Sequence, residues 1–312
     1  MFLKNMLKKN KFIYNTVINH RYFNSKYKFE NRSNGNEDLC IILAGYKEFT
    51  WEVIFNRIKT FADKNMDICI LSSGVYSEKL SEIAEKNNWS YLSISKNCVT
   101  LAQNIALKLF DKAKYVYKLD EDIFVTKNFF KELKHTYNEV SKNGLYNVGF
   151  VAPIIPINGY GHVRLLEKLD LVQYYEKHFE DVRYVAGRER MIESDPEVAK
   201  FMWGKGNKVP QIDELDRLLH NKDFEYSACP IRFSIGAILF KRELWEKMRY
   251  FKVESGSCMG LDESQICSYC VCDSKAMIIA ENTCVGHLSF GTQNKPMEEY
   301  FKKNTNVFKI KK

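Results

Sequence analysis

The chain has 312 residues, of which 45% are hydrophobic and 28% charged, an ordinary composition for one large globular domain or two small ones. No stretch approaches 18 consecutive apolar residues, which argues against a transmembrane helix. The nine cysteines, with no secretory signal, indicate reduced thiols in a cytoplasmic protein rather than a disulfide framework.

The net charge of +8 is concentrated at the two ends of the chain. Residues 1–36 carry eight Lys and Arg against one Glu, and residues 295–312 carry six Lys against two Glu. The residues between them therefore have a net charge near −3. Because a nucleic-acid-binding protein more often has a basic stripe on its folded body, we do not expect nucleic acid as a partner.

Residues 1–18 have the periodicity of a basic amphipathic helix. The apolar side chains that fall on one arc are Leu3, Met6, Leu7, Ile13, Tyr14, Val17 and Ile18, and the lysines on the rest are Lys4, Lys8, Lys9 and Lys11. Such a helix either lies on an anionic membrane surface, at the inner face of a membrane, or docks on its own domain, or is a partly disordered tail. A mitochondrial presequence fits less well, because such segments prefer Arg and Ser.

From residue 38 onward, strand-like and helix-like segments alternate. The first four predicted strands are 38–45, 66–74, 90–95 and 115–120, and the helices that follow them are centred on 51–61, 80–84, 100–110 and 127–141. Strand and helix repeat about every 25 residues, which predicts an α/β fold with a mostly parallel sheet flanked by helices.

The second half of the chain is predicted to continue this sheet around a less regular segment. The further predicted elements are a strand at 148–157, a strand–helix unit at 232–248, a turn that opens a helix at 260–270, and a strand within 276–290. Residues 158–228 are predicted to be a substrate-facing insertion. The predicted organisation is thus a basic segment at 1–36, one domain at 37–294 and a basic tail at 295–312.

Three acidic residues, Asp120, Glu121 and Asp122, follow directly on the fourth predicted strand. Ligands in parallel sheets bind beyond the carboxyl ends of the strands. In an extended segment Asp120 and Asp122 project to one face and Glu121 to the other. Two carboxylates on one face suit a hard divalent cation, Mn²⁺ or Mg²⁺, that also carries phosphate oxygens. The alternative is a solvated acidic turn.

The segment from about 38 to 290 resembles a GT-A-fold glycosyltransferase, most similar to the family 2 type. "DED" resembles the family's Asp-x-Asp motif, and "LAQNIALKLF" its Ala-Arg-Asn helix, with Gln103 in place of Arg and Asn104 retained. Three later segments resemble the glycine-bearing strand and helix, the acidic turn and helix, and the C-terminal histidine segment: "FSIGAILFKRELWEKM", "GLDESQICSY" and "VGHLSF".

This resemblance implies transfer of a sugar from a nucleotide-sugar donor, by default a UDP-sugar, to a carbohydrate or glycolipid acceptor, as in polysaccharide biosynthesis. It implies a metal held by Asp122 and His287, with Asp120 near the ribose or a metal-bound water. It assigns the catalytic base to Asp262 or Glu263, with the register slightly favouring Glu263, and a base on the opposite face of the sugar implies inversion. The implied donor-binding residues are Ala44, Gly45, Tyr46, Ser73, Asn104, Asp120, Glu121 and Gly236.

The chain departs from the family pattern after the second predicted strand. Family 2 enzymes usually carry an Asp there that reads the nucleobase, whereas this chain has Ser72-Ser73-Gly74, so the identity of the base stays open. A sugar-phosphate nucleotidylyltransferase is one alternative, although such an enzyme needs a Gly-rich phosphate loop after the first strand, which "LAGYKEF" does not supply. A non-catalytic module that binds nucleotide sugars or membrane surfaces is another, and it would be indifferent to losing Asp262 and Glu263.

Overall fold

The computed structural model describes residues 11–187 and 189–311. The first helix, α1 (Lys11–Phe23), contains only the second part of the predicted amphipathic helix, and residues 1–10 lie outside the described residues. The end of α1 docks on the domain, since the backbone carbonyl of Tyr22 accepts a hydrogen bond from the Asn104 amide and the Phe23 ring packs against Trp245. Association with an anionic membrane surface stays a prediction. No helix in the described ranges is long and apolar enough to cross a bilayer.

From residue 38 to residue 120 the strands and helices alternate along the chain as predicted. The strands are β1 (Tyr27–Glu30), β2 (Asp38–Leu43), β3 (Met66–Ser73), β4 (Ser90–Ile94), β5 (Tyr115–Asp120), β6 (Ile123–Phe124), β7 (Val148–Ile154), β8 (Tyr226–Cys229), β9 (Ala237–Lys241), β10 (Ala276–Cys284) and β11 (Gly286–His287). The further α-helices are α2 (Glu48–Phe61), α3 (Glu78–Lys86), α4 (Val99–Leu109), α5 (Phe129–Asn143), α6 (Gly161–Lys168), α7 (Val172–His178), α8 (Met191–Ser194), α9 (Pro196–Met202), α10 (Ile212–His220), α11 (Arg242–Lys247), α12 (Leu261–Cys272), α13 (Asn294–Lys303) and α14 (Thr305–Phe308).

Within the described residues, nine strands form one sheet in the order β1-β4-β3-β2-β5-β9-β7-β10-β8, and β6 pairs with β11 in a small second sheet. In the large sheet β2, β3, β4, β5, β7 and β10 run in one direction, and β1, β8 and β9 run against them. The structure therefore confirms the predicted α/β class with a mostly parallel sheet flanked by helices. The central strands read as continuous apolar runs because both faces of the sheet are covered.

The register of the central strands decides where the site forms. Leu43 at the end of β2 lies opposite Leu71 of β3 on one side and Asp120 of β5 on the other. The loops that follow β2, β3 and β5 therefore leave the sheet at the same edge. The acidic triplet and the segment after residue 43 meet there, as expected for a parallel sheet.

Residues 158–228 are more regular than the sequence indicates, and their role as a substrate-facing insertion stays a prediction. This segment contains the five helices α6 to α10 and the strand β8. In α10 the buried residues Ile212, Leu215 and Leu219 follow helical spacing, so the chain forms an amphipathic helix that packs on β10. No described residue of 158–228 lines the cavity considered below.

The predicted domain limits of 37 and 294 were too narrow. At the N-terminal side β1 adds to the sheet by pairing with β4. At the C-terminal side Met297, Phe301 and Phe308 are buried in the core, and the buried guanidinium of Arg57 donates a hydrogen bond to the carbonyl of Phe308. The segment predicted as a basic tail is therefore packed on the domain.

Candidate active site

A cavity of about 430 Å³ lies at the carboxyl ends of β2, β3 and β5. The predicted site residues that line it are Ala44, Tyr46, Ser73, Asp120, Glu121, Asp122, Asp262, Glu263 and His287. A larger groove of about 1110 Å³ lies between α2, α3 and the C-terminal residues, but none of the predicted residues lines it. The chemistry-bearing side chains therefore converge on the smaller cavity.

Gly45 and Gly236 do not line the cavity themselves, but their backbone groups form hydrogen bonds with Glu121 and Asp120, which do. The N–H of Gly45 donates to Glu121 Oε2 over 2.9 Å. The carbonyl of Gly236 accepts a hydrogen bond of 2.9 Å from the N–H of Asp120. A Cβ at Gly236 would lie 3.1 Å from Ile123 Cδ1 and 3.4 Å from Asp120 Oδ2, so a larger residue would crowd the acidic turn.

The structure does not bring Asn104 to the cavity. Its Oδ1 accepts hydrogen bonds from Trp245 Nε1 (2.8 Å) and the backbone N–H of Phe251 (3.0 Å). Its Nδ2 donates to the carbonyls of Tyr22 and Phe251. This buried amide therefore ties α1 and α4 to the segment after α11, and its hydrogen-bonding capacity is used within the protein.

Asp122 and His287 are brought together by the small sheet. The pairing of β6 with β11 sets His287 opposite Ile123, next to Asp122. His287 Nε2 lies 3.3 Å from Asp122 Oδ2, and both side chains are buried. Burial alone would raise the pKa of Asp122, but His287 and the ammonium of Lys47 outweigh it and hold that pKa well below its usual value.

Asp120 is paired with a lysine of its own strand. Lys118 lies two residues earlier on β5 and so on the same face, and its Nζ is 2.6 Å from Asp120 Oδ1. The same ammonium donates to the carbonyl of Ile235 over 2.9 Å. Burial alone would lower the pKa of Lys118, but Asp120 and Asp262 raise it, so the ammonium stays charged.

Lys118 and Lys47 are functional candidates that the sequence analysis missed. The sequence does contain a signal for Lys118. A lysine inside an otherwise apolar strand needs a partner of opposite charge, and Asp120, two residues later, lies on the same face of the strand. Lys47 follows the "LAGY" segment after β2, and only this position in the sequence could have indicated a functional role.

Glu121 points away from the two aspartates, as the alternation of an extended segment predicts. Its carboxylate accepts hydrogen bonds from the N–H groups of Gly45 (2.9 Å) and Tyr46 (3.0 Å) and from Trp51 Nε1 (2.7 Å). Burial raises its pKa, and these hydrogen bonds oppose that rise. The side chain thereby fixes the loop after β2 that forms one wall of the cavity, and its role in donor binding stays a prediction.

We expect Glu121→Ala to destabilise the fold. It leaves the indole N–H of Trp51 buried without its acceptor, so we expect a loss of about 1–3 kcal/mol in the free energy of unfolding, the range typical of one such group. Urea denaturation measures this loss. Glu48→Ala is the matched control, because Glu48 is exposed and pairs with Lys79 at the surface. Equal stability of the two variants would contradict the structural role of Glu121.

Asp262 and Glu263 lie in the first turn of α12, after Gly260 in the left-handed conformation. Asp262 is buried, and its Oδ2 accepts a hydrogen bond of 2.8 Å from Gln103 Nε2. Glu263 Oε1 is 3.2 Å from Arg232 Nε. Burial raises the pKa of Glu263, and Arg232 and Lys118 only partly oppose that rise. A carboxyl group with a raised pKa is suited to take up a proton near neutral pH.

Tyr46 and Ser73 form the rim of the cavity on the side of β2 and β3. The Tyr46 hydroxyl donates to the carbonyl of Ser73 over 3.0 Å, while 64% of the tyrosine stays exposed. The Ser73 hydroxyl accepts from the N–H of Cys98 over 2.6 Å, at the start of α4. An exposed aromatic ring held by its hydroxyl offers a flat face for a ring-shaped ligand.

Asp122 and His287 fit part of a divalent-cation site. Their facing atoms are 3.3 Å apart, close to the separation of neighbouring ligands around an octahedral ion with bonds of about 2.1 Å. Among the described residues no three His, Cys, Asp or Glu side chains are close enough to form a protein cage. Mg²⁺ in phosphate-binding sites commonly uses one or two carboxylates and completes its shell with water and phosphate oxygens. The pair fits that mode.

No protein-family model matches the chain, and no curated protein matches it. Among solved structures, a mannosyltransferase from Pyrobaculum calidifontis in complex with GDP-Man and Mn²⁺ is similar at 11% identity with a TM-score of 0.46, over 88% of this chain and 64% of that one. The chain thus corresponds to less than two thirds of that protein's length.

Two other solved structures are similar to the chain. A glucosyl-3-phosphoglycerate synthase from Mycobacterium tuberculosis, in complex with Mn²⁺, uridine-diphosphate and glucosyl-3-phosphoglycerate, has 13% identity and a TM-score of 0.43 over 90% of this chain and 83% of that one. A cytidylyltransferase from Leptospira borgpetersenii has 17% identity and a TM-score of 0.31 over 46% and 68%. These similarities are too low to assign the chain to a family or an activity.

Proposed function

We propose that the chain is a metal-dependent glycosyltransferase of the GT-A type. It transfers a sugar from a nucleotide-sugar donor, by default a UDP-sugar, to a carbohydrate or glycolipid acceptor, with inversion. The observation that carries this proposal is that Asp122 with His287 and Asp262 with Glu263 line one cavity at the carboxyl ends of the parallel strands. A nucleotide-sugar donor needs both groups, because charge must be neutralised on its leaving group and a proton must be removed from its acceptor.

On the donor side, the diphosphate leaving group gains negative charge as the anomeric C–O bond breaks. Asp122 and His287 would hold Mn²⁺ or Mg²⁺, which when bound supplies Lewis-acid neutralisation of that charge. Lys118 keeps a fixed positive charge beneath Asp120 and orients that carboxylate toward the cavity. Tyr46, Ala44 and Ser73 form the wall against which we place the nucleoside.

On the acceptor side, an in-line attack requires a base on the opposite face of the sugar ring. Glu263 is the better candidate, because its carboxylate reaches the cavity wall and burial raises its pKa. One oxygen of Asp262 is already committed to the Gln103 amide. We therefore assign the proton transfer to Glu263 and the positioning of the turn to Asp262 with Gln103.

Arg232→Met should move the acid limb of the pH–activity profile to higher pH. Arg232 stabilises the Glu263 carboxylate, so its removal raises the pKa of Glu263, and the base is then lost earlier as the pH falls. A partly exposed pair is worth about 0.2–1 kcal/mol and one pKa unit about 1.4 kcal/mol, so we expect a shift of about 0.1–0.7 pH units. Measurement of kcat/KM against pH tests this. Arg183→Met, at an exposed arginine, is the control, and an acid limb that shifts equally in both variants or in neither would contradict the assignment.

Product analysis with two substrate sets tests the class of reaction. A panel of nucleotide sugars with Mn²⁺ should yield nucleoside diphosphate, whereas nucleoside triphosphate with a sugar 1-phosphate should yield no pyrophosphate. Pyrophosphate release instead would identify a nucleotidylyltransferase. Binding of a nucleotide sugar with no product in either set would identify a non-catalytic binding module and overturn the proposal.

A further inference from the structure

Lys47 contacts the carboxylate that we assign to the divalent cation. It is the last residue before α2, and its Nζ lies 2.5 Å from Asp122 Oδ2 and 3.4 Å from Asn294 Oδ1. His287 Nε2 is 3.3 Å from the same Asp122 oxygen. The ammonium therefore stands against the oxygen that would coordinate a cation shared with His287.

An ammonium and a divalent cation cannot both stay against one carboxylate oxygen, because their repulsion at such short range is strong. One of them must withdraw when the other binds. Lysine has a compact charge on a flexible four-carbon stem, so its ammonium can swing while its backbone stays fixed. The backbone here is fixed, since Glu121 accepts from the N–H groups of Gly45 and Tyr46, and the Lys47 carbonyl accepts from the N–H of Thr50.

The direction in which Lys47 can swing is set by its surroundings. Its side chain is one quarter exposed and borders the cavity, together with Ser289, Phe290 and Asn294. Lys118 differs, because it is buried within β5 and bonded to both Asp120 and the Ile235 carbonyl. The ammonium of Lys47 can therefore move into the cavity without breaking a hydrogen bond within the sheet.

We propose that Lys47 is the counter-cation of Asp122 when no divalent cation is bound, and that it moves onto a phosphate oxygen of the donor diphosphate when the divalent cation takes its place. This inference rests on the proposed function, because it requires a diphosphate in the cavity. Lys47 then has opposite effects on two ligands: it competes with the metal and supports the nucleotide.

Two binding measurements on the full chain test this, with Lys47→Met as the variant. Mn²⁺ binding without nucleotide, followed by electron paramagnetic resonance, should become about fivefold tighter or more in Lys47→Met, because the competing charge is gone. Binding of the tighter of UDP and GDP at saturating Mn²⁺, followed by calorimetry, should become about tenfold weaker, because a charge-assisted hydrogen bond to phosphate is lost.

Two further variants complete the design. Lys47→Arg keeps the charge and should keep the Mn²⁺ affinity of the unaltered chain within about twofold. Lys79→Met removes an exposed lysine that pairs with Glu48 outside the cavity and should change neither affinity. Mn²⁺ affinity that stays unchanged or weakens in Lys47→Met, undetectable Mn²⁺ binding in both proteins, or nucleotide affinity that is unchanged or undetectable would each overturn the proposal.

The outcome is distinguishable from failure of the proposed function. If the two affinities shift in opposite directions but no nucleotide sugar is consumed, the role of Lys47 stands and the transferase activity fails. If nucleotide sugar is consumed but Lys47→Met binds Mn²⁺ as the unaltered chain does, the transferase stands and the role of Lys47 fails.

Discussion

Asp122→Ala should lower the turnover of nucleotide sugar by about 10²–10³-fold, a typical effect of removing a group that stabilises charge in the transition state. The structure places His287 and Lys47 against the same oxygen of Asp122, so the variant removes the carboxylate that would bind a divalent cation together with His287. Its depressed pKa keeps it ionised and ready to bind a cation at neutral pH. The measurement is the initial rate of nucleoside diphosphate release at saturating Mn²⁺.

The same variant should lose Mn²⁺ binding in parallel with activity. Asp273→Ala is the matched control, because Asp273 follows α12 at the surface, away from the cavity residues. Far-UV circular dichroism checks that Asp122→Ala still folds. Turnover and Mn²⁺ affinity both equal to those of Asp273→Ala would show that the acidic turn is a solvated or structural turn and not a metal site.

Glu263→Gln should lower kcat by about 10²–10⁴-fold, the range expected for loss of a general base. The amide keeps the shape of the side chain but cannot accept a proton, so the affinity for the nucleotide should stay within about twofold of the unaltered chain. Steady-state kinetics and nucleotide calorimetry on one preparation separate the two effects. Glu254→Gln is the control, because Glu254 is an exposed glutamate of the loop before α12.

Asp262→Asn should have a smaller effect than Glu263→Gln. Its carboxylate is buried and accepts from Gln103, so it acts by holding the turn in place rather than by taking a proton. If Asp262→Asn instead loses more kcat than Glu263→Gln, the base is Asp262. If both variants keep full kcat, the chain either does not need a base, as in a retaining enzyme, or is not a transferase.

The parallel half of the sheet could be predicted because its strands are long apolar runs separated by helical periodicity. The strands β2 to β5 fall where the sequence predicts them, since burial on both faces demands such runs. The edge strand β1 was missed because "YKFE" is short and half polar, as edge strands often are. The position of β9 between β5 and β7 depends on long-range pairing that no local pattern encodes.

The part of the candidate site that could be predicted consists of charged residues that stand at a regular spacing directly after a predicted strand or at the start of a predicted helix. Asp120 and Asp122 follow a buried strand, and His287 and the acidic pair of α12 converge on the same cavity. Lys47 was missed because the chain has 47 Lys and Arg, and a single lysine in a loop carries no pattern. Asn104 was assigned to the donor because a sequence cannot distinguish an amide that binds a ligand from one that bonds Trp245 and Phe251 inside the protein.

The helices of 158–228 show a different limit. The helices α6 to α9 have eight residues or fewer, so each contains too few turns for a helical pattern to stand out among Tyr, Arg and His. Tertiary packing rather than propensity stabilises such short helices.

In the proposed function, the cavity binds the diphosphate of a nucleotide sugar through a divalent cation, and the sugar–phosphate bond breaks there. The most direct measurement follows the release of nucleoside diphosphate from a panel of UDP-, GDP-, CDP- and dTDP-sugars, with Mn²⁺ and again after chelation by EDTA. We expect one nucleotide to be released with Mn²⁺, with loss of release in EDTA and recovery when Mn²⁺ is restored. Equal release in EDTA, or no release from any donor together with no binding, would contradict the proposed function.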